Sequence, residues 1–114
     1  MKRLINAFLF SLQGIAAACR DEAAFRSLII LAVAGIVAAW LLPLSMAAKV
    51  ILTFAHLLTL IVELLNTAIE AAIDRISEER HPLSKKAKDC GSAAQLVMLI
   101  ALGGLWLAAL VQWV

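Results

Sequence analysis

The 114-residue chain has no tyrosine, and only two each of proline, cysteine and histidine. Cys19 and Cys90 form no C-x-x-C pair and have no His/Cys spacing suited to zinc, so they read as reduced packing residues rather than a disulfide. No G-x-x-x-x-G-K-[ST] occurs, so any nucleotide would be held without a P-loop. Charge is scarce: 16% of residues are Asp, Glu, Lys or Arg, against roughly 25% in ordinary soluble domains. The start, Met1-Lys2-Arg3-Leu4-Ile5, resembles a signal peptide only superficially. Asn6, Ser11 and Gln13 interrupt its apolar residues and no small-residue cleavage site follows, so it reads as retained. Internal repeats and low-complexity tracts are also absent.

Hydrophobic residues make up 64% of the sequence, and its mean hydropathy is +0.98. That composition belongs to the membrane class, because a soluble fold would leave uncovered apolar faces in water. By length, residues 1–114 form a single domain. The net charge of +2 could suggest a nucleic-acid partner by sign alone, but its placement argues otherwise. Lys2, Arg3, Arg20 and Arg26 precede the first apolar run; Arg75, Arg80, Lys85, Lys86 and Lys88 separate the second from the third; only Lys49 lies between the first two. This is positive-inside patterning, with the N-terminus cytoplasmic and the C-terminus outside. Both cysteines then fall on the cytoplasmic, reducing side.

The pattern predicts an all-α integral membrane protein: an amphipathic interfacial helix over 3–20, then membrane helices over 28–48, 50–76 and 87–114. In the first, Leu4, Ile5, Phe8, Leu9, Leu12, Ile15, Ala16 and Cys19 recur at helical spacing. Asp21 is a candidate cap for the turn that follows. The run 28–48 carries no charge, and its Pro43 should end or bend the helix near Leu42, beside an interfacial Trp40. The stretch 77–86 reads as a polar loop in which Pro82 forbids helix. Gly103-Gly104 reads as a close helix-packing point, Trp40, Trp106 and Trp113 as membrane anchors, His56 as a neutral hydrogen-bonded residue, and His81 as a solvated one.

Within the second membrane helix, Glu63, Asn66, Glu70 and Asp74 fall within about 80° on one stripe. A carboxylate in a membrane helix costs about 2.5 kcal/mol or more, so such residues are paired, metal-bound or line a polar cavity. Glu63 alone could equally be a protonated or helix-buried carboxyl, but Asn66 and Glu70 on its stripe favour a shared cavity. Asp74 could simply pair with Arg75 or Lys88. Glu22 and Arg26 taken alone are an ordinary i,i+4 pair. Lys88-Asp89 adds a cation and an acid at about the depth of Asp74. Acids, an amide and a lysine suit phosphoryl transfer: carboxylates hold Mg²⁺, a lysine neutralises phosphate, and one carboxylate takes the acceptor's proton. A non-enzymatic oligomer conducting ions along the stripe is the competing class, though its acids cluster at one leaflet.

These residues carry a resemblance. Glu22-Ala23-Ala24-Phe25-Arg26, the segment Val62 to Arg75 (VELLNTAIEAAIDR) and Ala87-Lys88-Asp89-Cys90-Gly91-Ser92-Ala93-Ala94 closely resemble the prokaryotic diacylglycerol kinase family across essentially the whole chain. The resemblance implies a homotrimeric bacterial inner-membrane kinase that phosphorylates a lipid hydroxyl with MgATP, at sites between neighbouring subunits on the cytoplasmic side. It implies Glu70 as catalytic base and Glu22 and Glu70 as metal ligands. Glu63 and Asn66 would position the acceptor and Glu70. Lys88, Asp89, Asp74 and, through the least anchored correspondence, Arg3 would lie on the nucleotide side, with Glu22 and Glu70. Diacylglycerol is the implied acceptor, with undecaprenol, used by related enzymes, as the alternative. Departures from the family pattern are Phe10 and Leu12 in the N-terminal helix, Ser27-Leu28 after the Phe25-Arg26 motif, and Cys90 where methionine is common.

Overall fold

The structure, a computed structural model, describes residues 1–112. Four helices follow in order: α1 (Lys2–Asp21), α2 (Ala23–Leu41), α3 (Met46–Ile76) and α4 (Pro82–Leu110). Helices α2, α3 and α4 are each long and apolar enough to cross a membrane. The all-helical membrane architecture expected from composition is therefore what the chain forms, and helix α1 stands apart from it. Only Ala18 of α1 is buried, while Leu4, Ile5, Phe8, Leu9, Phe10, Leu12 and Ile15 are exposed. Such a helix gains stability from an interface with lipid, since it packs little against its own chain.

The helix boundaries follow from local chemistry. A single extended residue, Glu22, separates α1 from α2. Asp21 ends α1 and does not cap α2; its carboxylate pairs with Arg20 at 2.9 Å. That exposed guanidinium holds the Asp21 carboxyl below the usual carboxylate range. Arg26 does not pair with Glu22 either. Its Nη1 donates to the carbonyls of Cys19 (2.7 Å) and Arg20 (3.0 Å), satisfying acceptors that the end of α1 leaves open. Helix α2 thus begins ahead of the charge-free run at Leu28. It closes at Leu41 because Pro43 holds the preceding Leu42 extended, at φ −76° and ψ 154°. Residues 46–48, expected in the first membrane helix, instead open α3, where Ser45 Oγ accepts from Ala48 N at 3.1 Å.

Helix α4 begins at Pro82 rather than at residue 87. Proline stops a helix from within but suits its first position, where no amide donor is required. His81 caps this end, its Nδ1 accepting from Leu83 N at 3.1 Å, so it is a structural residue as well as an exposed one. Residues 113 and 114, including Trp113, lie outside the described part.

Helix α3 is the central element, packed on α2 along one side and on α4 along another. Its 31 residues extend about 46 Å, against roughly 30 Å of hydrocarbon in a bilayer. The buried positions of α2, Phe25, Leu28, Ala32 and Ala39, form one stripe against it. Near the α2–α3 connection, Ala39, Ala48, Leu52 and Ala109 form an apolar cluster with Leu44, Leu105 and Trp106 around it. Trp40 Nε1 donates to Thr53 Oγ1 at 2.9 Å, and Lys49 reaches back to the Trp40 carbonyl at 3.2 Å. Trp106 is only partly a membrane anchor, because its indole turns inward and donates to His56 Nε2 at 3.0 Å. An imidazole accepting at Nε2 is neutral, in keeping with the sequence reading of His56.

The close approaches are not at Gly103-Gly104. Among the described residues no atom lies within 4 Å of a Cβ placed at either position, beyond the helix's own backbone and adjacent residues. They occur at Gly35 and Gly91, where a Cβ would overlap the His56 ring and the Asn66 amide respectively. Helix α2 can therefore approach α3 only because residue 35 has no side chain. In an ordinary helix interior Gly→Ala would gain up to about 1 kcal/mol. Here Gly35→Ala should lose about 1–3 kcal/mol by overpacking the buried His56, and the same substitution made in a His56→Ala background should cost far less. Unfolding of the purified protein in mixed detergent checks this; a stabilised Gly35→Ala would contradict the packing described.

Candidate active site

Along α3 the polar residues recur at His56, Thr59, Glu63, Asn66, Glu70 and Asp74, a spacing of three and four that keeps them on one stripe. The first four are buried, Glu70 is half-buried and Asp74 is exposed. The stripe faces α4, which runs antiparallel to α3, pairing His56 with Trp106, Glu63 with Gln95 and Asp74 with Lys88. Its environment thus changes from dry at His56 to solvated at Asp74, and the acids lie toward the solvated end.

At the middle level, Gln95 Nε2 donates to Glu63 Oε2 at 3.0 Å and to the Thr59 carbonyl at 2.9 Å. Thr59 in turn donates from Oγ1 to the His56 carbonyl at 2.7 Å. One turn further along, Asn66 Nδ2 donates to Glu70 Oε1 over a long 3.4 Å. Gly91 of α4 makes room for that amide. At the outer level, Lys88 Nζ meets Asp74 Oδ1 at 2.6 Å, linking the two helices. Of the two partners the sequence offered Asp74, the structure selects Lys88. Lys85 holds Asp89 at 2.6 Å, so Asp89 faces a lysine of its own helix rather than Asp74. Both ion pairs are substantially exposed, so solvent screening leaves each with little weight in stability.

Beyond Asp74 the helices diverge around a cleft of about 620 Å³. Ile73, Asp74 and Ser77 line one side, Lys85, Lys88 and Asp89 the other, and the connection from Glu78 to Pro82 closes it. A cleft of this size with lysines on one wall suits a polyanion, and its lining begins at Ile73 and Asp74, one helical turn beyond the half-buried Glu70.

Other expected site residues lie apart. Glu22 forms the link between α1 and α2, and no side-chain cap bond engages it. Arg3 is exposed in the first turn of α1, without an ion pair among the described residues. Among those residues no three His, Cys, Asp or Glu side chains gather closely enough to hold a metal ion. Gln95, Thr59 and Gly91 take part in the contact between α3 and α4, and Gly35 in that between α2 and α3, although the sequence reading gave them no part in the site. The clue to Gln95 was available: an amide inside an apolar helix is as anomalous as the acids opposite.

With this geometry in place, comparison with known proteins is informative. The model of the family described as prokaryotic diacylglycerol kinase matches residues 9–110. The diacylglycerol kinase of Pseudomonas aeruginosa is 54% identical over 106 residues, covering 93% of this chain and 86% of that protein. That of Escherichia coli K12 is 44% identical over 98 residues, covering 86% and 80% respectively. That of Haemophilus influenzae is 39% identical over 106 residues, covering 93% and 90%.

The Asn66–Glu70 contact depends on the missing side chain of Gly91. Gly91→Ala should therefore lose about 1–3 kcal/mol despite the higher helix propensity of alanine. Combining it with Asn66→Ala should recover the loss, as denaturation of the two variants in detergent would measure. Equal destabilisation in single and double variants would place the clash elsewhere.

Proposed function

The chain belongs to the prokaryotic diacylglycerol kinase family, and from that premise we propose that it transfers the γ-phosphoryl group of ATP to the primary hydroxyl of diacylglycerol, giving phosphatidic acid. The observation that carries this reading is the arrangement at the outer end of the α3–α4 seam. A half-buried carboxylate, Glu70, is contacted by an amide at the end of an apolar helix pair and stands one helical turn from a lysine-lined cleft that begins at Asp74. A lipid hydroxyl arrives from the first environment and a nucleotide from the second.

In the proposed reaction Glu70 accepts the hydroxyl proton as the oxygen attacks the γ-phosphorus. The new P–O bond forms as the bond to the β-phosphate oxygen breaks, and ADP departs. No phosphoenzyme is needed, because both substrates reach the same carboxylate. Asn66 orients Glu70, and Glu63, one turn behind Asn66, helps to position the acceptor. Lys88, Asp89 and Asp74 bind on the nucleotide side, with Arg3 reaching the phosphates from α1. Exchange of Asp74 for a phosphate oxygen at Lys88 costs little, since their ion pair is exposed.

Glu22 and Glu70 offer hard carboxylate oxygens of the kind Mg²⁺ prefers, and they would hold the ion that accompanies ATP. Bound Mg²⁺ supplies charge neutralisation at the phosphates. One chain gathers too few such groups alone. A homotrimer, with sites completed by a neighbouring subunit, accounts for that and for exposed Phe54 and Leu65 on the central helix. The setting is the bacterial inner membrane, with the N-terminus and the site in the cytoplasm and the C-terminus on the periplasmic side. Ion conduction fits less well: beyond His56 the stripe runs into the apolar cluster of Ala39, Leu52 and Ala109.

The test is phosphate transfer from MgATP by the purified protein, offered diacylglycerol and undecaprenol in parallel. Diacylglycerol should be the better acceptor; preference for the polyprenol would reassign the substrate, and transfer to neither would reject the reading. Glu70→Gln should lower turnover by at least about 100-fold while the oligomer persists, as loss of a general base requires. Near-normal turnover in that variant would remove Glu70 from the base role.

A further inference from the structure

We propose that Gln95 is a positioning residue that aims the Glu63 carboxylate from across the α3–α4 seam; this rests on the role given above to Glu63 in positioning the lipid acceptor. Gln95 is 8% exposed and Glu63 is equally buried, so neither side chain can exchange its partner for bulk water. The Nε2 group of Gln95 spends its two protons on two acceptors of α3, Glu63 Oε2 at 3.0 Å and the Thr59 carbonyl at 2.9 Å. The Thr59 carbonyl is an acceptor in every protonation state, so it fixes which way the amide points. A flipped amide would set Oε1 against two other acceptor oxygens. Oε1 itself is buried without a partner among the described residues, so no competing bond from them pulls the amide away.

Two anchor points turn a flexible glutamine into a fixed donor. Without it, Glu63 would retain a buried carboxyl with no donor from α4, and its side chain would turn toward whatever proton donor it could find. Glu63 lies one turn from Asn66, which holds Glu70. The network therefore passes orientation along α3 from Thr59 through Gln95 and Glu63 toward the reacting hydroxyl. Gln95 touches neither lipid nor nucleotide in this scheme. The titratable groups of the surrounding elements are His56 and Glu70, two turns to either side of Glu63 on α3; Lys88, Asp89 and Cys90, between one and two turns from Gln95 on α4; Arg26 on α2; and Cys19, Arg20 and Asp21 at the end of α1, which also touches α3.

Two substitutions test the assignment. Gln95→Leu keeps the volume and removes the donor. It should lower kcat/KM for diacylglycerol by about tenfold, the scale of one hydrogen bond to a charged group, and leave KM for ATP unchanged. In a Glu63→Leu background the same substitution should have almost no further effect, because the acceptor that Gln95 serves is then gone. Gln95→Glu can donate only while its new carboxyl carries a proton. Its activity should approach that of the unsubstituted protein at the acid end of the profile and fall toward that of Gln95→Leu as pH rises. A residue that merely fills space would give Gln95→Leu ordinary lipid kinetics, or would make Gln95→Glu equally poor at every pH; either result overturns the proposal. An additive loss in the Glu63→Leu background also overturns it. Failure of the functional reading itself would show separately, as absent lipid phosphorylation by the unsubstituted protein.

Discussion

A polar group in an apolar helix must find its partner inside the protein, and the α3–α4 seam is how this chain meets that constraint. His56 takes the Trp106 indole, Glu63 takes Gln95, and Asp74 takes Lys88, each across the same pair of helices. The apolar contacts around them, mostly alanine and leucine, are compatible with many helix rotations and shifts. The polar pairs are compatible with one. A shift of α4 by a single residue would separate all three pairs at once and leave the buried groups of the two inner pairs unmet, at about 1–3 kcal/mol apiece. Register is thus fixed by the groups that composition alone would call misplaced.

The same seam sets where chemistry can occur. Helix α3 is longer than a bilayer is thick, so one stripe passes from a dry interior to solvent without changing face. Buried partners hold its inner members and rigidify the helix pair. Only toward its outer end do members of the stripe become accessible: Glu70 is half-buried, and Asp74, one turn on, lines the cleft between α3 and α4. A preorganised carboxylate at the edge of an apolar region needs little rearrangement when substrates arrive, which is the usual basis of efficient proton transfer.

Much of this was legible in the sequence, because the membrane class rests on hydropathy and the stripe on helical period. The partners were harder to read. Helix α3 could be assigned its polar face from spacing, but which side of α4 met that face required the register that Gln95 and Trp106 reveal. Trp106 looked like an interfacial anchor because tryptophan usually is one; its indole proton instead found His56. Gly103-Gly104 drew notice as a pair, while the solitary Gly35 and Gly91, each facing a bulky polar side chain, mark the close approaches. The boundary at Pro82 was misplaced because proline breaks a helix from within and begins one equally well. The α1–α2 junction hid its chemistry for a different reason: Arg26 serves backbone carbonyls, which no side-chain pairing rule anticipates.

The central claim is that nucleotide and metal bind at the outer end of this seam, next to Glu70, and not elsewhere on the bundle. Paramagnetic broadening by Mn²⁺ with ATP, read from backbone amide resonances of the labelled protein in detergent micelles, tests it most directly. Amides around Glu70 to Ser77 and Lys85 to Cys90 should broaden in an ATP-dependent way, while those of Gly35, Leu52 and Trp106 stay sharp. Broadening centred on His56 and Trp106, or spread evenly over the three long helices, would contradict the account.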